Sequence, residues 1–166
     1  MYVKNGYLEL EELGERMPSK ERLEQGPVAV LECIQPIPCN PCQEACARKA
    51  IQPFQSINDT PVINMDLCNG CGNCISVCPG LAIFVVWKNY REQHGLIKLP
   101  YELLPIPEEG ETVSLMDRKG EMIGSGKVVK VQQTKHNPKS RIIWVEIPKE
   151  LVMEVRHIIR SKQDDK

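Results

Sequence analysis

The stretch Cys68-Asn-Gly-Cys71-Gly-Asn-Cys74-Ile-Ser-Val-Cys78-Pro79 sets four thiols at gaps of two, two and three residues, closed by a proline. Thiolates so spaced suit a cube of four irons and four sulfides. A tight loop turns three of them to neighbouring corners, and the fourth follows one helical turn later. Gly70 and Gly72 supply backbone freedom between ligands, where a Cβ would obstruct. In two-cluster arrangements that fourth thiol serves the other cluster, so Cys78 predicts a second thiol set.

The remaining cysteines, Cys33, Cys39, Cys42 and Cys46, supply it. The crossed assignment puts Cys33, Cys39, Cys42 and Cys78 on one [4Fe–4S] cluster, and Cys68, Cys71, Cys74 and Cys46 on the other. Cys33 is the least regular ligand, because five residues separate it from Cys39. Pro36, Pro38 and Pro41 stiffen that loop and remove amide donors, which predicts a lower potential for its cluster. Zinc fits poorly, since a third cysteine so close behind a pair overcrowds a tetrahedron. A disulfide framework would need export, and Met1–Arg16 has no signal-like apolar run. With no stretch of bilayer-spanning length either, the expected location is cytoplasmic.

No other residues assemble a catalytic set. His94, His136 and His157 stand in unrelated contexts, and Gly120, Gly124 and Gly126 do not form a dinucleotide fingerprint. No nucleophile motif is present, so no substrate site is expected on this chain, and its enzymatic standing is that of a non-catalytic subunit.

Four segments must position the thiols. Residues 1–26 form a polar arm with one short helix capped by Ser19 and stopped at Gly26-Pro27, expected to lie across something else. Residues 27–90 form the cluster domain, built on an internal repeat. Pro27–Cys33 parallels Pro61–Cys68, Cys39–Cys46 parallels Cys71–Cys78, and each copy reads strand, ligand loop, short helix, strand. Leu81–Trp87 reads as a buried strand. Residues 91–110 read as a linker hinged at Gly95. Residues 111–166 alternate as β: Thr112–Met116, Lys127–Gln133 and Arg141–Ile147, with turns at Asp117–Gly120, Gly124–Gly126 and His136–Ser140. That predicts a small antiparallel β-barrel followed by a helix from Pro148, with Leu151, Val152, Val155, Ile158 and Ile159 on one face. The expected class is α+β: a dicluster module with a pseudo-twofold repeat, then the barrel and helix.

The formal net charge is −1. Residues 1–90 carry seven basic and ten acidic side chains, residues 91–166 fourteen and twelve. This is not the strongly acidic surface of a freely steered shuttle. Lys127, Lys130, Lys135, Lys139 and Arg141 lie in a window, 122–145, without an acidic residue. It reads as a solvated face, a protein docking surface or, with few aromatics to stack on bases, a nucleic-acid site.

Residues 27–84 resemble a dicluster bacterial-type ferredoxin domain. Glu32-Cys33-Ile-Gln-Pro-Ile-Pro-Cys39-Asn-Pro-Cys42, with the second motif and a proline-rich lead into a β module, is similar to small iron–sulfur subunits of multi-subunit flavin-dependent dehydrogenases that oxidise amines or amino acids, including proline and hydroxyproline. Ala47 stands where proline usually follows the fourth cysteine, which removes no ligand. The resemblance implies an electron-transfer subunit that relays single electrons between flavin sites, or to an external acceptor, through two [4Fe–4S] clusters. FAD or FMN would then lie only in partner subunits of a hetero-oligomer. A freestanding ferredoxin and a nucleic-acid-binding iron–sulfur protein are the alternatives.

Overall fold

The computed structural model describes residues 2–134 and 137–160, so Lys135, His136 and the last six residues of the expected C-terminal unit lie outside the described residues. The arm folds into α1 (Tyr2–Asn5), 3₁₀ turns over Leu10–Arg16 and α2 (Lys20–Glu24). Ser19 caps α2 as expected, its hydroxyl accepting from the Arg22 amide at 3.1 Å. The arm lies across its own chain: Arg16 donates to the Pro61 carbonyl and the Thr60 hydroxyl, both at 2.9 Å.

Seven antiparallel strands follow: β1 (Val28–Leu31), β2 (Ile83–Trp87), β3 (His94–Tyr101), β4 (Thr112–Met116), β5 (Met122–Gln133), β6 (Arg141–Pro148) and β7 (His157–Arg160). They join in one sheet of order β1-β2-β3-β6-β5-β4-β7. The short helices α3 (Pro41–Glu44) and α4 (Asn73–Val77) carry the ligand loops.

The chain is α+β as expected, but the barrel is not closed. Among the described residues, β1 and β7 are the outer strands of an open sheet. Side chains bridge them where a hydrogen-bond ladder would close a barrel. Glu32, just past β1, accepts from Arg118 in the β4–β5 turn at 2.6 Å and from Arg156, just before β7, at 2.6 Å.

The expected C-terminal helix is also corrected. Pro148 ends β6, one 3₁₀ turn spans Lys149–Leu151, and the chain enters β7 along the open side of β4. Ile158 is 0% exposed and Ile159 50% exposed, a period of two where a helical stripe would bury both. β-Branched residues beside an unpaired strand edge pair with it, and that outweighs the helical spacing.

The stretch expected as a linker contains β3, a central strand pairing with β2 and β6. Gly95 is not a hinge there. A Cβ on it would lie 2.3 Å from Val152 Cγ1, so the position needs a hydrogen for close packing. Gly124 and Gly126 lie inside the continuous strand β5, with the β4–β5 register slipping at Leu115/Met116 opposite Gly124.

Register assigns the two faces. Val28, Val30, Val86, Ile97, Val145, Val113 and Ile158 share the principal core, inside the curl of the sheet. Ala29, Leu31, Ile83, Val85 and Ile142 point to the other face and pack with Cys42, Cys74 and Ile75 of the ligand loops. Buried on both faces, β1 and β2 therefore read as unbroken apolar runs.

Candidate metal centre

Two loops present the thiols at equivalent backbone positions. The Cys46 amide donates to the Gln43 carbonyl at 3.2 Å, and the Cys78 amide to that of Ile75 at 3.3 Å. Three residues beyond each cysteine, Lys49 and Leu81 both adopt φ 52°, so the two halves turn alike despite different sequences. The strands before the loops differ. Val28–Leu31 joins the sheet, whereas its counterpart pairs only through a bridge between Ile63 and Ile51.

All eight cysteines are free thiols, with Cys42 and Cys74 buried, Cys71 exposed and the rest between. They sort into two neighbourhoods. Burial, then Cys78 and Cys39, raises the Cys33 thiol above its ordinary value. Burial, then Cys78, pushes Cys42 up to about 11, with Cys39 and Cys33 adding to it. Burial pushes Cys74 up to about 12, followed by Cys68, Cys71 and Cys46, with Cys42 last. Cys78 and Cys39 thus act on both Cys33 and Cys42, whereas Cys68, Cys71 and Cys46 act on Cys74, with Cys42 between the two sets. Burial costs Cys33, Cys42 and Cys74 their charge, and metal binding would reverse that cost because a metal takes the thiolate and releases the proton.

The surroundings fit such a group. The Ala29 and Gly70 amides donate to Cys68 Sγ, each at 3.4 Å, and the Ala50 amide to Cys46 Sγ at 3.2 Å. Amides aimed at sulfur stabilise the charge a reduced cluster gains. Ala29, Ala50, Ile51 and Ile63 wall a small cavity whose rim includes Cys46, Cys68, Cys71 and Cys74. Gly70 has φ 64°, and a Cβ there would sit 2.5 Å from Pro27 Cβ, so the ligand loop closes against the arm only with glycine. Among the described residues, no three His, Cys, Asp or Glu side chains gather closely around one metal ion.

Several residues that serve the site escape sequence reasoning. Arg22 is 8% exposed and donates to the carbonyls of Met65, Gly26, Pro27 and Cys68, at 2.8, 3.2, 3.1 and 2.7 Å, pinning the second loop to the arm. Lys98, buried on β3, donates to the Gly70 carbonyl at 2.7 Å inside the ligand loop. Burial, partly countered by Cys71, lowers its ammonium below the usual range. Beside Cys33, Glu32 sits between Arg118 and Arg156, all three side chains no more than 8% exposed. Burial opposes ionisation of Glu32, but Arg156, then Arg118, holds its carboxyl below the ordinary range. The capped helix was the one signal toward Arg22; nothing local marked Lys98 or the Glu32 cluster. His94 lies at the start of β3, and His157 stacks on Tyr101 at 5.8 Å, away from the thiols.

Residues 61–84 match the 4Fe-4S binding domain family. The ferredoxin-type protein NapF of Haemophilus influenzae is 41% identical over 49 residues, 28% of this chain and 28% of that relative. The NapF protein of Escherichia coli is 43% identical over 51 residues, 30% of this chain and 31% of that relative. The match thus spans less than a third of these relatives' length, and no solved structure matches. Among the described residues no helix is long and apolar enough to cross a membrane. The chain carries an iron–sulfur, ferredoxin-type segment, and the chemistry of such a segment is electron transfer.

Proposed function

We propose that this chain is an electron carrier holding two [4Fe–4S] clusters, one on Cys33, Cys39, Cys42 and Cys78, the other on Cys46, Cys68, Cys71 and Cys74. The supporting observation is the sorting of the thiols, in which each loop gives its last cysteine to the other loop's neighbourhood. When bound, each cluster supplies a one-electron couple. The chain's residues hold eight thiolates, aim amides at Cys46 and Cys68, and keep water off the inner faces with Ala29, Leu31, Ile51, Ile75 and Ile83.

Exchange of the fourth ligand gives the test. Cys78→Ala removes a residue of the second motif, yet it should empty the Cys33 site, lowering iron from about eight to about four per chain. Cys46→Ala should empty the other. EPR-monitored titration then identifies the survivor: each variant should retain the midpoint potential that the other loses. If both variants lose the same signal, the crossed assignment is wrong; if wild-type protein reconstitutes with four irons, there is one cluster.

The flavin-bearing dehydrogenase partner rests on the likeness of the Glu32–Cys42 stretch alone, and within this proposal it is the finer reading. Native mass spectrometry of protein purified from its source tests it: a co-purifying flavoprotein is required, and a lone chain leaves the freestanding carrier.

A further inference from the structure

One row of side chains crosses the face of the sheet that carries the ligand loops. Ala29 on β1 faces Val85 on β2, Val85 faces Lys98 on β3, Lys98 faces Trp144 on β6, and Trp144 faces Lys130 on β5. The row starts at the Cys68 sulfur, which accepts from the Ala29 amide, and meets the same ligand loop again where Lys98 reaches Gly70. Trp144 is flanked by ammonium groups from both neighbouring strands: Lys98 Nζ lies 3.9 Å from its ring centre and Lys130 Nζ 5.0 Å. Cys71, the exposed thiol of the eight, belongs to the neighbourhood that Lys98 borders.

Beyond the row the face carries further basic side chains. Lys127 and Lys130 are exposed on β5, Arg48 is exposed on the rim of the cavity among Cys46, Cys68, Cys71 and Cys74, and residues 122–145 contain no acid. The acid opposite Lys127, Glu146, is paired with Arg91 at 2.9 Å. Trp144 keeps this position although its Nε1 is buried with no hydrogen-bond partner among the described residues, a cost that an aliphatic side chain would avoid.

We propose that this face, from Cys71 across Lys98, Trp144 and Lys130 to Lys127, is the docking surface for an acidic redox protein. It deepens the two-cluster reading above and rests on it. A basic field around the exposed corner of a redox site draws in an acidic partner and orients it with its own centre nearest that corner. One electron leaves the group held by Cys46, Cys68, Cys71 and Cys74, and the partner's one-electron centre gains it, with no bond made or broken. Single-stranded nucleic acid fits less well, because stacking needs an open aromatic face and Trp144 already lies between two ammonium groups.

The test uses cluster-loaded, dithionite-reduced full chain in a stopped-flow instrument, with an acidic flavodoxin and a basic cytochrome c as acceptors. Transfer to flavodoxin should slow as salt rises, and K127E/K130E should slow it about tenfold at low salt. Transfer to cytochrome c should not slow. K20E, an exposed reversal on the arm, should leave flavodoxin transfer near wild type. K130Q provides a milder change, with a smaller effect in the same direction, should the double variant fold poorly. Equal slowing by K20E and K127E/K130E, an unchanged rate in the double variant, or displacement of flavodoxin by a labelled single-stranded oligonucleotide at 150 mM salt would each overturn the proposal. Iron, sulfide and EPR counts on the same samples report separately on the two-cluster reading.

Discussion

Arg22→Leu should loosen the second ligand loop more than any surface change in the arm. The guanidinium is buried and feeds four carbonyls, two at the arm's end and two in the Met65–Cys68 turn that leads into the loop. A hydrogen bond from a charged donor contributes about 1.5–3 kcal/mol net, so plain addition over four would exceed the stability of many domains. The sum overstates the loss because carbonyls retain a second lone pair and water enters a vacated site. Counting only the two shortest bonds, to Met65 and Cys68, leaves about 3–6 kcal/mol. For a chain of this size that is a fall of roughly 6–24 °C in melting temperature.

Thermal unfolding of the cluster-loaded chain by circular dichroism reads the global effect, and bleaching of the visible band by an iron chelator reads the local one. Arg22→Leu should lower the melting temperature and speed bleaching, with the EPR signal of the Cys68-bearing site lost first. Arg22→Lys should fall between, because one ammonium cannot span four acceptors. Lys20→Ala, exposed on the same helix, should stay within about 0.5 kcal/mol of wild type. A melting temperature for Arg22→Leu within about 1 °C of wild type would refute the reasoning, since no contact of that size could then pass through Arg22.

Gly95→Ala should destabilise by about 1–3 kcal/mol in urea titrations, because its Cβ would press on the buried Val152 with the Trp87 carbonyl 3.2 Å away. Glu32→Gln should cost about 3–5 kcal/mol by the same measurement, leaving buried Arg156 without its ion-pair partner and Arg118 with only Glu154, 3.8 Å away. Burial keeps His157 below its ordinary 6.5, so the unfolded chain takes up the proton first. Its share of stability is intact above about pH 6.5 and is lost as pH falls through the folded value; urea midpoints of His157→Gln should depend less on pH there. Redox titration should find the site of Cys46, Cys68, Cys71 and Cys74 at the higher potential, because it receives three amide bonds while prolines thin the donors of the Cys33 loop.

The cysteine spacing was legible because cluster chemistry ties ligands to short local intervals, and the backbone reproduces the repeat down to paired left-handed residues at Lys49 and Leu81. Strands β1, β2, β4 and β6 were legible from apolar runs and alternation. The C-terminal half failed where long-range pairing decides. Leu151, Val155 and Ile158 satisfy a helical spacing, but nothing local shows that β4 has a free edge for Ile158 and Ile159 to join. The polar Lys88–Gln93 stretch hid β3, whose lysine and proline look loop-like. Lys98 is nevertheless required there, because its ammonium feeds a carbonyl in a loop some thirty residues earlier. No periodicity encodes that.

The continuity of the sheet changes what the cysteine-free half does. β2 pairs with β3 and β3 with β6, so the strands that buttress the ligand loops belong to the same hydrogen-bonded layer as those of the last fifty residues. Ile142 of β6 packs directly with Cys42, Cys74 and Ile75. Glu32, adjacent to Cys33, is held by Arg118 and Arg156 from that half, tying the first ligand loop to the C-terminal end of β4 and to the approach to β7. The C-terminal strands therefore form the wall against which both thiol groups are set. A rigid wall suits electron transfer, since little reorganisation at the ligands means little energy lost when charge changes.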